Sequence, residues 1–279
     1  MPDLRPLYPY AGGKRKYIED IGRFIQHATY YVEPFFGGGA VFCFAVNLQR
    51  AKRFIINDVR EEIIDIYRAI KNDSQPIARE FGELKTKYEA LSIGGKEQMY
   101  YAVKDYWLKT RSAAHKLIIL NTLYGAMYQV DTDGVFDTAS GHMRFIRGRT
   151  IGLDPEQIML WGEVLQNTDI NSGDYSEVNI PTDSLVFCDP PYLDVGFGYD
   201  MPFTTDDQLR CFNWCCDTAN RSDVSVIMTN NDSRDYFTNL CSGKRVRTIR
   251  YSATYSAGVN TNSEEIAMIW NERKSSLIL

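Results

Sequence analysis

The run Cys188-Asp189-Pro190-Pro191-Tyr192 sets a carboxylate, two prolines and an aromatic ring directly behind a short apolar segment, residues 184–188. Such a segment suits a buried strand of a parallel sheet. Proline has no N–H and a fixed φ, so the chain must leave the sheet stiffly at Pro190 and Pro191. Two acceptors result, the Asp189 carboxylate and the Pro190 carbonyl, with the Tyr192 ring beside them. A Pro-Pro turn with Asp189 as a local cap is the structural alternative.

A second stretch, "VEPFFGGGAVF", places three glycines between a strand and a helix. Such a turn lets a ligand approach the backbone and the helix N-terminus. It lacks the full G-x-G-x-x-G pattern and the GK[ST] ending of a phosphate loop. Glu33, just before it, is awkward for a phosphate and suits a cation. Asp58 ends the next strand, 21 positions after Gly37, about where an acid meets ribose hydroxyls in nucleotide-binding sheets. Asp58 equally suits a helix cap before "REEIIDIY".

These residues need a sheet to hold them. Residues 30–35, 53–59, 184–188 and 222–230 read as strands, with a helix from the glycines to about Arg50. Residues 14–27 form an amphipathic pattern that predicts a helix, and 206–219 predicts another. The last two strands, 244–253 and 264–271, alternate as an antiparallel pair does. Between about Arg60 and Thr150 the pattern turns helical and ends in the turn-rich "DTDGVFDTASGHMRF". This suggests an α/β core, residues 1–59 and 151–279, with an inserted, mainly helical lobe at 60–150.

Composition narrows the chemistry. The three histidines are scattered, and Cys211, Cys215 and Cys216 match no zinc ligand spacing, so no metal is expected. The six cysteines form no disulfide framework. No apolar run is long enough for a membrane span, and the N-terminus does not read as a signal peptide, so the expected location is cytoplasmic. Net charge is −5, yet residues 104–149 hold seven Lys/Arg against four acids, and "GKRVRTIR" adds a basic strand. Nucleic-acid binding needs only a positive contacting face.

In order and content these segments resemble the Dam-type (D12 class) DNA adenine N6-methyltransferases, which use S-adenosylmethionine. "YPYAGGKRKY" is similar to the family's N-terminal cofactor motif, with Tyr10 and Lys14 at the matching positions. "VEPFFGGGAVF" resembles its glycine motif, through Glu33, Pro34, Phe35, Gly37 and Gly39. "IIND" resembles its ribose-binding acid, Asp58. "NSGDY" offers Asp174 to the cofactor's adenine, and "CDPPY" matches the catalytic signature, Asp189 also touching the cofactor. "VIMTNND" resembles the strand that follows it.

The resemblance implies a Rossmann-like methyltransferase sheet with a target-recognition lobe, double-stranded DNA as partner and no obligatory protein partner. Asp189 and the Pro190 carbonyl would then accept the two hydrogens of a flipped adenine's amino group, and Tyr192 would stack on the base. Lys109 and Arg111 are candidate phosphate contacts. The family's Asn-Gly turn and guanine-reading arginine are replaced here by Tyr124-Gly125 and, near the arginine's place, Gln129, the candidate base reader. A cytosine N4-methyltransferase is the nearest rival, but the resemblance implies Ser more often than Asp before Pro-Pro-Tyr there. An RNA or protein-glutamine methyltransferase would use a similar socket. A catalytically inactive DNA-binding relative would not need Asp189 and Tyr192.

Overall fold

The computed structural model describes residues 3–10, 12–14, 17–126, 128–131, 135–139, 151–193, 203–255 and 261–272. His142, Arg144, Arg147 and Arg149, from the basic stretch above, lie outside the described residues. In chain order the elements are α1 (Ile18–Gly22), β1 (Tyr30–Glu33), α2 (Ala40–Asn47), β2 (Arg53–Asp58) and α3 (Glu61–Asn72). Then come α4 (Ser74–Glu89), α5 (Ile93–Thr110), α6 (Ala113–Thr122), α7 (Pro155–Leu165) and β3 (Thr168–Ser172). The chain continues with β4 (Ser184–Cys188), α8 (Thr205–Ala219), β5 (Ser225–Asn231), α9 (Tyr236–Cys241), β6 (Arg247–Tyr255) and β7 (Thr261–Trp270).

The strands form one sheet in the order β3-β2-β1-β4-β5-β7-β6. The first five strands in that order pair in parallel, and β7 runs antiparallel to both β5 and β6. This is a Rossmann-like sheet with an antiparallel hairpin at one edge. The central strands are apolar throughout because both faces are covered. Tyr31, Phe54, Ile56, Leu185 and Phe187 point into one core, built around Phe42, Tyr67 and Trp161. Val32, Ile55, Val186, Cys188 and Met228 point into the other, with Phe212, Phe237 and Trp270. The two-residue period of a strand produces this division.

One expectation needs correction. The helix expected over 14–27 is only the five residues Ile18–Gly22. Lys14 is drawn into the site described below, and the bonds from Phe24 and Ile25 back to Ile21 and Gly22 tighten the chain into turns. β3, "TDINS", escapes the sequence pattern because it is a polar edge strand buried mainly at Thr168. α3 is also not set apart from the sheet: Arg68 donates to Ser172 Oγ at 3.0 Å and Lys71 to the Thr168 carbonyl at 2.7 Å.

Candidate active site

Parallel strands end on one edge of a sheet, so Glu33, Asp58 and Asp189 emerge together. The strand order reverses between β1 and β4, where a doubly wound sheet opens a crevice. The glycine turn leaves β1 on one side of that crevice and the Asp-Pro-Pro-Tyr turn leaves β4 on the other.

Gly37 and Gly39 adopt φ of +50° and +67°, a region that disfavours residues with a Cβ. Space forbids one as well: a Cβ at Gly37 would come within 2.9 Å of the Tyr10 ring. Asp58 ties the turn down. Its Oδ2 accepts the Gly37 N–H at 2.8 Å and its Oδ1 accepts the Arg60 N–H at 3.0 Å. Asn57 donates to the Pro34 carbonyl at 3.0 Å, and the Tyr8 hydroxyl to the Gly37 carbonyl at 3.0 Å. Burial raises the Asp58 carboxyl above its usual range, against the pull of the Arg60 and Gly37 N–H groups.

Asp189 is held from two sides. Thr229 Oγ1, on β5, donates to its Oδ1 at 2.6 Å, and Lys14 Nζ lies 2.8 Å from its Oδ2. Lys14 also donates to the Gly12 carbonyl at 2.9 Å and sits 4.5 Å from the centre of the Tyr192 ring. Its side chain is only 3% exposed. Tyr192 is 8% exposed and donates its hydroxyl to Glu265 Oε2 at 3.0 Å. The ring expected to stack on a base is therefore buried here, with Lys14 against its face.

The turn itself is pinned by residues that no local pattern singled out. Gln208 donates to the Pro191 carbonyl at 2.7 Å, and Asn230 donates to Gln208 at 3.0 Å. Asn230 Oδ1 also accepts the Leu193 N–H at 3.1 Å. Thr229, Asn230 and Glu265 reach the site from neighbouring strands. The polar run "TNN" that ends β5 is the sequence signal for Thr229 and Asn230.

The remaining candidates sit around this centre. Burial raises Glu33 well above the usual carboxylate range; the bond from the Tyr31 hydroxyl at 2.8 Å opposes this and the nearby Asp189 charge adds to it. Burial also raises Glu265, with Lys14 opposing. Phe35 stacks on Tyr175 with ring centres 4.9 Å apart. Asp174, next to that tyrosine, is gripped by Arg210 through two bonds of 2.7 and 3.0 Å, which with Ser176 hold its carboxyl below the usual range despite partial burial.

Further out, Lys109 is exposed near the end of α5 and Gln129 is exposed on a short hairpin. Arg111 pairs with Glu62 at 2.7 Å and lies over Trp107. Lys104 is bound to Asp137, and Lys116 is fully buried. Part of the positive charge counted in this stretch thus lies inside the protein. Cys188 joins Cys211 and Cys215 in a buried trio of sulfurs within 4.8 Å of one another, and no further His, Cys, Asp or Glu joins them among the described residues. A closed structural zinc site needs four ligands.

A glycine turn and a stiff Asp-Pro-Pro-Tyr turn thus flank the reversal point of a Rossmann-like sheet. The sequence pattern of the D12 class N6 adenine-specific DNA methyltransferases matches residues 10–256, and the chain belongs to that family. It is therefore an adenine-specific DNA methyltransferase. A type II methyltransferase of Methanocaldococcus jannaschii, M.MjaIII, is 26% identical over 270 residues, covering 88% of this chain and 91% of that protein. A DNA adenine methylase of Vibrio cholerae serotype O1 is 24% identical over 96% of this chain and 97% of its own. Among solved structures, a protein from Klebsiella pneumoniae assigned as an O-methyltransferase aligns over 95% of this chain and 82% of its own, with a TM-score of 0.39 and 9% identity.

Proposed function

We propose that the chain transfers a methyl group from S-adenosylmethionine to the N6 amino group of an adenine flipped out of double-stranded DNA, at a specific site. The observation that carries this reading is the Asp189 carboxylate, held by Thr229 and Lys14 in a turn stiffened by Pro190 and Pro191. A cytoplasmic location and duplex DNA as partner belong to the same reading.

The residues suit that cofactor. The glycine turn leaves no room for a Cβ beneath Tyr10, and Asp58 waits at the end of the adjoining strand. Glu33, Asp58 and Asp189 bring three carboxyl groups to one sheet edge, a set that favours a cationic ligand. Tyr10, Glu33, Pro34, Phe35, Gly37, Gly39 and Asp58 would hold it, with Asp174, buttressed by Arg210, on its adenine. When bound, it supplies a methyl group on a positively charged sulfur.

An adenine amine is a weak nucleophile because its lone pair is delocalised into the ring. Asp189 accepts one amino hydrogen and the Pro190 carbonyl the other, which favours a pyramidal nitrogen with an available lone pair. The fixed turn means these acceptors need little reorganisation. Asp189 can also take the proton that the methylated nitrogen must lose. Lys14 and Thr229 keep the carboxylate aimed. Residues 60–150 are read as the target-recognition lobe, with Lys109 on phosphate and Gln129 at a base edge.

The test is expression in a methylation-free host followed by mapping of N6-methyladenine. Wild type should mark one short sequence. Asp189→Ala should leave none while still binding S-adenosylmethionine in calorimetry. Substantial methylation of duplex DNA by Asp189→Ala would sink the mechanism.

A further inference from the structure

Lys116 lies on α6 with its side chain shut off from solvent. Its ammonium faces three rings, 3.3 Å from the centre of Trp107, 4.1 Å from Phe136 and 4.6 Å from Tyr128. It also donates to the Tyr128 hydroxyl at 3.2 Å and to Glu62 Oε2 at 3.5 Å. The Tyr128 hydroxyl in turn donates to that same Glu62 carboxylate. A buried ammonium is costly to desolvate, and an apolar residue of similar volume would pack this position without that cost. What the lysine adds is geometry, because two of its three rings belong to one short hairpin.

The arms of that hairpin are residues 128–131 and 135–138. A single antiparallel bridge, Val130 to Phe136, holds its arms, with the Asp137 N–H on the Gln129 carbonyl at 3.0 Å. Two strands this short are marginal alone in water. The hairpin takes its shape from what grips it. Lys116 takes Tyr128 and Phe136, Lys104 takes Asp137 at 2.8 Å, and the Tyr100 hydroxyl takes the Thr138 carbonyl at 2.8 Å. Gln129 projects to solvent between the buried Tyr128 and the half-buried Val130. Any tilt of the Tyr128 ring moves Gln129 with it.

We propose that Lys116 is a positioning residue for sequence discrimination: caged by Trp107, Tyr128 and Phe136 and tied to Glu62, it sets how the hairpin arm that carries Gln129 is presented to DNA. The inference rests on the reading of this segment as part of the recognition lobe. A one-ångström error in presentation is enough to misalign a bidentate contact to a base edge.

The test uses Lys116→Met, which keeps the length of the stem and removes charge and donors, in the full-length enzyme. Relative kcat/KM is measured on the mapped site and all its single-base variants at fixed salt, beside melting temperature and S-adenosylmethionine affinity. The expected result is a loss of about tenfold in discrimination at one or two base pairs, with cofactor affinity unchanged. Tyr128→Phe, which removes only the hydroxyl link, should lose about threefold in the same place, and it decides the matter if Lys116→Met does not fold. An unchanged preference profile in the folded variants overturns the proposal. Gln129→Ala separates the two readings: a changed profile there with none for Lys116 keeps the reader and discards the positioning role.

Discussion

Lys14 and Asp189 meet at 2.8 Å in a site where the lysine is almost wholly buried, although 175 positions separate them in the chain. The family resemblance puts Lys14 among the cofactor ligands, whereas its contacts here are with the Asp-Pro-Pro-Tyr turn, through Asp189 and the face of Tyr192, and with the Gly12 carbonyl. A charge-assisted bond contributes roughly 1.5–3 kcal/mol, and its loss would leave Asp189 free to rotate about its Thr229 bond. Lys14→Met should therefore lower kcat by about ten- to a hundredfold and cofactor affinity by less. Single-turnover kinetics beside calorimetry separates the two. Lost affinity with kcat preserved would return Lys14 to the cofactor's own ligands.

Glu33 gives a prediction with a definite sign in pH. Burial raises its carboxyl well above the ordinary range, so between the unfolded and folded values the native state holds a proton that the unfolded chain has released. Stability from this group is complete in acid and is lost as pH rises through the folded value. Glu33→Gln keeps an acceptor for the Tyr31 hydroxyl and cannot ionise. Without cofactor, the variant should melt above wild type at neutral pH, and the gap should close below about pH 4.3, the unfolded glutamate range. A variant that melts lower at neutral pH would show that the carboxylate is no burden.

How far these residues were legible depended on where their partners lie. β1, β2, β4 and β5 were readable because strands buried on both faces are apolar without a break. The Gly37–Asp58 link was foreshadowed by spacing, since one crossover helix fixes the distance along the chain. β3 was not readable, because an edge strand such as "TDINS" alternates weakly and carries polar residues. Thr229 and Glu265 were hidden for another reason: they reach Asp189 and Tyr192 through sheet pairing, which no local window contains. Charge counting misjudged Lys104 and Lys116, because a formal charge says nothing about whether an acid neutralises it, as Asp137 does Lys104, or an aromatic cage encloses it, as around Lys116.

Asp58 now has a structural duty as well as an expected ligand. Asp58→Ala removes the acceptors of the Gly37 and Arg60 N–H groups. Leaving a buried donor unsatisfied costs roughly 1–3 kcal/mol, so the variant should lose that much stability. The glycine turn should loosen and cofactor affinity should fall at least tenfold. Asp58→Asn retains one acceptor oxygen and should lie between the two. Denaturant unfolding and calorimetry on the same preparations test both claims. Equal affinity for S-adenosylmethionine in wild type and Asp58→Ala would remove Asp58 from the cofactor site.

Two exposed residues of the segment proposed to read DNA, Lys109 and Gln129, should behave differently on it. Lys109 is an exposed cation near the end of α5, and Gln129 is an exposed amide on the hairpin. A cation that meets phosphate binds every sequence alike and releases one counterion, so Lys109→Ala should weaken all binding and lower the salt slope by about 0.9. An amide that meets a base edge acts at one base pair, where Gln129→Ala should cost roughly 1–3 kcal/mol of discrimination, with adenine its natural partner. Arg111 differs from both, because it is already paired with Glu62 beside the Lys116 cage. Arg111→Ala should disturb the preference profile as well as overall affinity. The measurement is methylation of all single-base variants of the mapped site at several salt concentrations. A Gln129→Ala profile identical to wild type would assign the reading to other residues of the lobe, and an unchanged salt slope for Lys109→Ala would take that lysine off the phosphate backbone.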